Sequence, residues 1–116
     1  MPEEFKIAEV HMGEDITVVR VAGELDAATT PRLVHRCEEI RAKGKRMILN
    51  LAEVTFIASN GIGGLLGLVE SFRDDGLVVR FASVSTAVGS VIKLLNLDQF
   101  LPIDDTEKAA VAALKG

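Results

Sequence analysis

Apolar residues along this chain follow two alternating patterns, which together predict an α/β fold. Short runs rich in β-branched residues occupy Phe5 to His11 and Ile16 to Ala22, and the turn sequence between them predicts a hairpin. Three later runs, Arg46 to Leu51, Leu77 to Ala82 and a short one at Leu101 to Ile103, predict further strands. Helical patterns separate these runs, and strands joined through helices pair in parallel. We therefore expect a mixed, mainly parallel sheet.

Four segments carry helical spacing, each with a signal for its start or its end. Their approximate ranges are 30–43, 60–75, 86–95 and 105–114. The predicted N-caps are Thr30, followed by Pro31 at the first helical position, then Ser85 or Thr86, and Asp104 with Glu107 three residues on. Asp75-Gly76 marks the predicted end of the second helix.

Residues 56–67 form the most informative segment. An apolar run ends in Ser59 and Asn60, and a helical pattern begins at once with Ile62. On a helical wheel Gly63, Gly64 and Gly67 fall opposite the apolar stripe. Each interior glycine costs a helix roughly 0.5–1 kcal/mol relative to alanine, so a glycine face implies close approach by another group. That group is either a docking partner or a neighbouring element of the same monomer.

Ser59 has two interpretations at this junction. Serine or asparagine before an apolar helix is commonly an N-cap, and Ser59 or Asn60 fits that role. A hydroxyl at a helix N-terminus is also a suitable position for an anion, because backbone N–H groups there lack intrahelical partners. Ser59 is therefore either a structural cap or a modifiable serine.

Three motifs in order resemble a known family. Phe56-Ile57-Ala58-Ser59-Asn60-Gly61-Ile62-Gly63 is similar to the phosphorylation-site motif of bacterial anti-sigma factor antagonists, in which an apolar pair precedes Asp-Ser-Ser/Thr-Gly-Leu/Ile-Gly. Val21-Ala22-Gly23-Glu24-Leu25-Asp26 before Thr29-Thr30-Pro31 resembles the Gly-x-Leu-Asp segment of that family, and Asn50-Leu51-Ala52-Glu53-Val54 resembles its Asp-Leu-Ser-x-Val.

The resemblance covers residues 4–114 and implies a single STAS domain, the domain shared by sulfate transporters and anti-sigma factor antagonists. The implied fold is α/β, with four to five strands in a mixed, mainly parallel sheet and about four helices. The chain departs from the family motifs at Ala58 for aspartate, Asn60 for the second serine or threonine, and Asn50 and Ala52 in the central strand. The Ser59 hydroxyl is retained, so docking and its regulation can have diverged separately.

The function implied by the resemblance is an anti-sigma factor antagonist. The unmodified domain binds an anti-sigma factor that is also a serine kinase, and phosphorylation of Ser59 ends the interaction. ATP is bound by that partner, and this chain is expected to hold no cofactor and to be a monomer or weak dimer. The residues expected to line or shape the docking face are Gly23, Asp26, Thr29, Asn60, Gly61, Gly63 and Gly67.

Two other functions stay open from the sequence. Small stand-alone members of this fold also bind the ATPase subunit of lipid-trafficking ABC transporters, without phosphorylation. A sensor that binds a nucleotide or another anion at the helix N-terminus is the third interpretation.

Composition and the other candidate groups argue against further classes. A net charge of −4 does not suit direct nucleic-acid binding. The apolar runs are too short to span a bilayer, and Met1-Pro2-Glu3-Glu4 lacks the features of a secretory signal, so we expect a cytoplasmic protein. Asp26, Glu53 and Ser59 are predicted to follow strand ends, but no histidine lies in a matching loop to activate Ser59. Neither an enzyme nor a metal site is expected, and Cys37 is predicted to be a buried thiol.

Overall fold

The structure is a computed structural model that describes residues 4–115 of the 116-residue chain. The described residues form five strands and four helices, which agrees with the expected α/β architecture. In chain order the elements are β1 (Lys6–Met12), β2 (Ile16–Leu25), α1 (Thr30–Ala42), β3 (Arg46–Ile57), α2 (Ser59–Asp74), β4 (Val79–Ala82), α3 (Thr86–Leu94), β5 (Ile103–Asp104) and α4 (Glu107–Lys115).

The strands lie in the sheet in the order of the sequence, from β1 to β5. β1 and β2 pair antiparallel as the predicted hairpin, and every later neighbouring pair is parallel. The parallel pairs follow from the helices between them, because each crossover returns the chain to the same edge of the sheet. The carboxyl ends of β2 and β3 therefore lie side by side.

β2 and β3 are longer than the sequence predicts. β3 continues beyond the expected end at Leu51 to Ile57, and β2 continues beyond Ala22 to Leu25. Two register shifts, one between Arg20 and Ala22 and one after Gly23, keep the strands paired as far as Leu25 with Ile57. The polar and glycine residues in these extensions hide the strand signal, and pairing between the neighbours supplies the order that periodicity does not predict.

The two faces of the sheet are covered unequally. On one face the main core packs α1, α2 and α3 against alternate sheet residues such as Leu49, Leu51 and Phe81, all of which are fully buried. On the other face a smaller cluster packs Ala110 of α4 against Ile48 and its neighbours. The inner side of α2 packs into the main core, and the outer side of this helix is exposed.

The N-caps of α1 and α4 differ from the predicted residues, whereas that of α3 agrees with the prediction. The N-cap of α1 is Thr29 and not the predicted Thr30, which is the first helical residue, so Pro31 takes the second helical position instead of the first. Ser85 caps α3, since its hydroxyl accepts a hydrogen bond from Val88 N at 3.2 Å. Of the two residues that the sequence leaves open for this cap, the structure selects Ser85.

The predicted cap of α4 at Asp104 is wrong. The Asp104 carboxylate instead accepts two hydrogen bonds from the Arg80 guanidinium, at 2.6 and 3.1 Å. The Thr106 hydroxyl caps α4 by accepting a hydrogen bond from Ala109 N at 3.0 Å. Asp104 and Thr106 are both residue types that commonly cap helices. The ion pair of Asp104 with Arg80 on β4 leaves Thr106 to cap α4.

Candidate functional site

The chain passes from β3 into α2 without a side-chain cap. Ala58 is the N-cap residue, with φ −90° and ψ 171°, and its methyl group accepts no hydrogen bond. Its N–H donates to Leu25 O at 2.8 Å, which ties the start of α2 to the end of β2. Ser59 is consequently the first helical residue, and the expectation that Ser59 or Asn60 serves as the N-cap is wrong.

The Ser59 hydroxyl is exposed and has no hydrogen-bond partner among residues 4–115. The first backbone donor inside α2 is Ile62 N, which donates to Ala58 O at 3.1 Å, so the N–H groups of Ser59, Asn60 and Gly61 precede the helical hydrogen bonds. These groups and the macrodipole place a partial positive charge beside the hydroxyl. The position suits a serine that receives a negatively charged group.

Two glycines of α2 are explained by packing inside the monomer. A Cβ atom on Gly61 would lie 2.7 Å from Ile57 Cγ1 and 3.0 Å from Leu25 O. A Cβ atom on Gly64 would lie 2.6 Å from Thr30 Cγ2 of α1. Gly61 is buried, so it shapes the junction but cannot line an exposed face, and the expected outward position of Gly64 is wrong. Their lack of a side chain lets α2 approach β2 and α1 closely.

Gly63 and Gly67 have no such explanation. Both are exposed, and a Cβ atom on either would meet no heavy atom of residues 4–115 within 4 Å. Residues four apart lie on the same side of a helix, so the two form one strip of bare backbone. Packing within the described part of the chain gives no reason for glycine at these two positions, and a surface that another molecule approaches does.

Asp26 and Thr29 form a rigid turn between β2 and α1. Oδ1 of Asp26 accepts hydrogen bonds from Ala28 N at 2.9 Å and Thr29 N at 3.0 Å. The Thr29 hydroxyl donates to Glu24 O at 2.6 Å and accepts from Asp26 N at 2.9 Å. The backbone N–H of Thr29, followed by that of Ala28, lowers the pKa of Asp26 below its usual range. The turn therefore holds an ionised carboxylate.

Gly23, also expected on the docking face, lies inside the molecule. Its φ is +107°, a conformation that glycine adopts readily, and a Cβ atom there would lie 3.0 Å from Phe5 Cα. Gly23 is buried and pairs with Val54 of β3, and its lack of a side chain admits the Phe5 backbone. Glu53, which the sequence suggested at a strand end, lies within β3 opposite Ala22.

Six of the eight predicted site residues are therefore partly or fully exposed at one edge of the molecule or on the adjoining surface of α2. Asp26 follows β2 and Ser59 follows β3, and the bond from Ala58 N to Leu25 O joins the two strand ends. We call the exposed set the Ser59 face. It consists of the exposed Ser59, Asn60, Gly63 and Gly67 and the half-buried Asp26 and Thr29.

A groove with mixed polar and apolar walls lies beside the Ser59 face, and the sequence patterns did not predict it. Its walls are Leu66, Val69, Glu70 and Arg73 of α2 together with Gln99 and Phe100, and Phe100 is 59% exposed. The helical pattern placed Leu66 in the core stripe, and only the packing of the segment before β5 shows that it is half-buried. Phe100 carried a signal, since aromatics make up only 4% of this chain.

Classical chemical groups are sparse in the part of the chain that the structure describes. Residues 4–115 contain no cluster of three His, Cys, Asp or Glu side chains that could hold a metal ion. His11 lies in β1 beside the Thr17 hydroxyl, 3.3 Å away, and is therefore remote from the end of β3. No helix within these residues is long and apolar enough to cross a membrane.

Comparison with known proteins places this geometry in a family. A sequence model of the STAS domain matches residues 8–110. The chain belongs to the STAS domain family. Among curated relatives, the anti-sigma F factor antagonist of Paenibacillus polymyxa is 28% identical over 109 residues, covering 92% of each chain. The anti-sigma-B factor antagonist of Staphylococcus epidermidis is 26% identical over 93 residues, covering 79% of this STAS chain and 86% of the relative.

Solved structures share the STAS fold. An anti-sigma factor antagonist from Mycobacterium paratuberculosis superimposes with a TM-score of 0.88 at 23% identity, covering all of this chain and 98% of that one. The anti-sigma factor antagonist SpoIIAA matches at 20% identity in both its unphosphorylated form (TM-score 0.79, covering 96% of this chain and 97% of that one) and its phosphorylated Bacillus form (0.69, 96% and 99%). At these identities the likeness establishes the fold alone.

Proposed function

We propose that this STAS protein is an anti-sigma factor antagonist that binds an anti-sigma factor through the Ser59 face. The observation that carries the proposal is the exposed, unbonded Ser59 hydroxyl beside the bare backbone of Gly63 and Gly67. A partner can approach the helix backbone closely there, because no side chain at either glycine holds it away. Binding releases the sigma factor that the anti-sigma factor otherwise holds.

Phosphorylation of Ser59 ends the interaction in this proposal. The partner, a serine kinase, holds ATP and transfers the γ-phosphoryl group to Ser59 Oγ, so that an O–P bond forms and ADP leaves. The hydroxyl proton passes to a base of the partner. The product carries about −1.5 to −2 charges at the first residue of α2, near the ionised turn at Asp26.

The charge acts mainly on the partner and leaves the fold intact. Free N–H groups at the start of α2 favour an anion, by about 0.3–1 kcal/mol at an exposed terminus. A surface that docked against a small hydroxyl then meets a bulky dianion that must be desolvated. Ala58 supplies no carboxylate next to Ser59, so the phosphate alone sets the charge at this position.

The relatives support this proposal through their names. The curated matches are antagonists of anti-sigma F and anti-sigma-B factors, and SpoIIAA has been solved with and without phosphate. We further propose that residues 4–114 act as one domain in the cytoplasm, as a monomer or weak dimer, without a cofactor of their own and without catalytic activity.

The test is capture of the tagged protein from its native cells, followed by incubation of the isolated complex with ATP. We expect an anti-sigma factor with kinase activity in the complex, and a phosphate on the fragment 54–70 that the Ser59→Ala variant lacks. Capture of the ATPase subunit of a lipid transporter, with no phosphate gained, would overturn the proposal in favour of a constitutive accessory role. Sedimentation of the purified protein measures its oligomeric state in the same preparation.

A further inference from the structure

We propose that Asn60 is a site of spontaneous deamidation placed on the Ser59 face. The backbone nitrogen of Gly61 attacks Cγ of Asn60, so that an N–C bond forms, the Cγ–Nδ2 bond breaks and ammonia leaves. Hydroxide takes the proton of the Gly61 amide, and the water so formed returns a proton to Nδ2 as it leaves. Water then opens the five-membered succinimide at either carbonyl, which leaves aspartate or isoaspartate. The reaction needs no co-reactant besides water.

The nucleophile is the backbone nitrogen of the buried Gly61, which donates no hydrogen bond to the helix. Gly61 N precedes the first intrahelical hydrogen bond of α2, which Ile62 N donates, so the Gly61 N–H is not held by the helix. Glycine has no side chain to obstruct the five-membered ring. The positive end of the helix macrodipole also stabilises the negative charge that the Gly61 nitrogen acquires when it loses its proton.

The electrophile is free as well. Asn60 is exposed, and its side-chain amide has no hydrogen-bond partner among residues 4–115. The N-cap residue Ala58 has no side-chain acceptor that could stabilise the first turn of α2. Rotation of the Asn60 backbone toward the reactive geometry therefore has to open only the first turn of α2, which the hydrogen bond from Ile62 N to Ala58 O closes without a side-chain cap.

The other two asparagines of the chain provide internal controls. Asn50 is held at both ends of its amide, because Nδ2 donates to Glu107 and Oδ1 accepts from Ala52 N at 2.9 Å. Asn96 is exposed like Asn60, but the next nitrogen, Leu97 N, donates to Ile92 O at 2.9 Å. Both precede leucine, whose side chain hinders ring closure. Only Asn60 combines a free amide with a following glycine.

Deamidation adds a carboxylate one residue after Ser59. Its effect on binding rests on the proposed function. The added charge lies on the docking face and lowers the affinity of this protein for its partner. The chemistry itself does not depend on any partner. In the family motif the corresponding position holds serine or threonine, which cannot react in this way.

The experiment incubates the intact protein in mildly alkaline buffer and follows mass over days. Cleavage after glutamate under mildly acidic conditions separates the three asparagines, since Glu53 and Glu70 bracket Asn60. We expect the fragment 54–70 to gain about 1 Da. Its rate should exceed that of the Asn50 and Asn96 fragments at least about tenfold. Asn60→Gln, an exposed and conservative change, should remove the gain.

A rate at Asn60 equal to or below that at Asn96 would overturn the proposal. A separate arm titrates Asn60→Asp against the captured partner, with Asn96→Asp as the matched control for charge. We expect several-fold weaker binding for Asn60→Asp alone, and equal affinities would overturn the functional consequence. Because the mass measurement uses no partner, it can succeed even where the proposed anti-sigma factor is wrong.

Discussion

The side-chain amide of Asn50 on β3 donates a hydrogen bond to the carboxylate of Glu107 on α4. The same carboxylate accepts two hydrogen bonds from the Arg20 guanidinium, at 2.8 and 2.9 Å. The Arg20 contact is the main cause that lowers the pKa of Glu107. Asn50 stands where the family motif has aspartate, and only an amide can donate to Glu107 from this position. Asparagine in place of aspartate at position 50 therefore helps to hold α4 against the sheet.

Asn50→Asp should destabilise the protein. The new carboxylate would lose the donor and face Glu107 as a like charge, at an estimated cost of about 1–2 kcal/mol in the free energy of unfolding. Urea unfolding at neutral pH measures the cost, with Asn60→Asp, whose carboxylate would lie at a favourable helix N-terminus, as the matched control. Equal stability of the two variants would show that the Asn50 amide contributes nothing to the position of α4.

The four glycines of α2 should separate into two pairs. Gly61→Ala and Gly64→Ala should each destabilise by about 1–3 kcal/mol, because the added methyl groups meet atoms at 2.7 and 2.6 Å. Gly63→Arg and Gly67→Arg should stay folded, since both positions are open and arginine favours a helix.

Circular dichroism during thermal unfolding tests the stabilities, and a pull-down with the captured partner tests binding. Gly63→Arg and Gly67→Arg should abolish binding although their melting temperatures remain at or above that of the unmodified protein. Loss of helical signal in either arginine variant would mean that the outer side of α2 is needed inside the monomer.

The sequence predicted the order and type of the elements, but it did not predict which atoms pack against each glycine. A helical wheel fixes the phase of Gly64 within α2, whereas its contact with Thr30 depends on where α1 packs. The end of α2 has a clearer local signal. Gly76 has φ +72°, and Leu77 N donates back to Phe72 O at 2.8 Å, as the sequence Asp75-Gly76 predicts.

The start of α2 shows the opposite case. Serine and asparagine in succession favour a cap at Ser59 or Asn60, but the helix begins one residue earlier than such a cap allows. The bond from Ala58 N to Leu25 O fixes that residue at the end of the sheet, and the helix follows from it. Pairing between β2 and β3 is a tertiary contact, so residue preferences within the junction cannot reveal it.

Asp26 should titrate below the usual range for aspartate, because Thr29 and Ala28 N–H groups favour its charged form. A depressed pKa in the folded state means that the stability Asp26 contributes is present above its unfolded pKa and is lost as pH falls through the folded pKa. NMR titration of the carboxyl measures the shift. In Asp26→Asn the acid-dependent loss of stability should shrink, and an unchanged acid profile would contradict the assigned turn.

Cys37 should be unreactive in the native state. It is fully buried in α1, and burial is the main cause that raises the pKa of its thiol to about 12. A thiol reagent at neutral pH should label it only at the rate of unfolding, and should label it fast in denaturant. Ser90→Cys, at an exposed position of α3, provides the accessible control. Equally fast labelling of both thiols in the native protein would contradict the burial of the Cys37 thiol.

We propose that the Ser59 hydroxyl lies on the docking face and that negative charge there ends binding. Titration calorimetry of the captured anti-sigma factor with Ser59→Glu tests it most directly, with Ser59→Ala and the exposed Ser90→Glu as controls. We predict at least about a tenfold loss of affinity for Ser59→Glu, or about 1.4 kcal/mol, and none for the two controls. Equal affinity of Ser59→Glu and the unmodified protein would show that charge at Ser59 does not control binding.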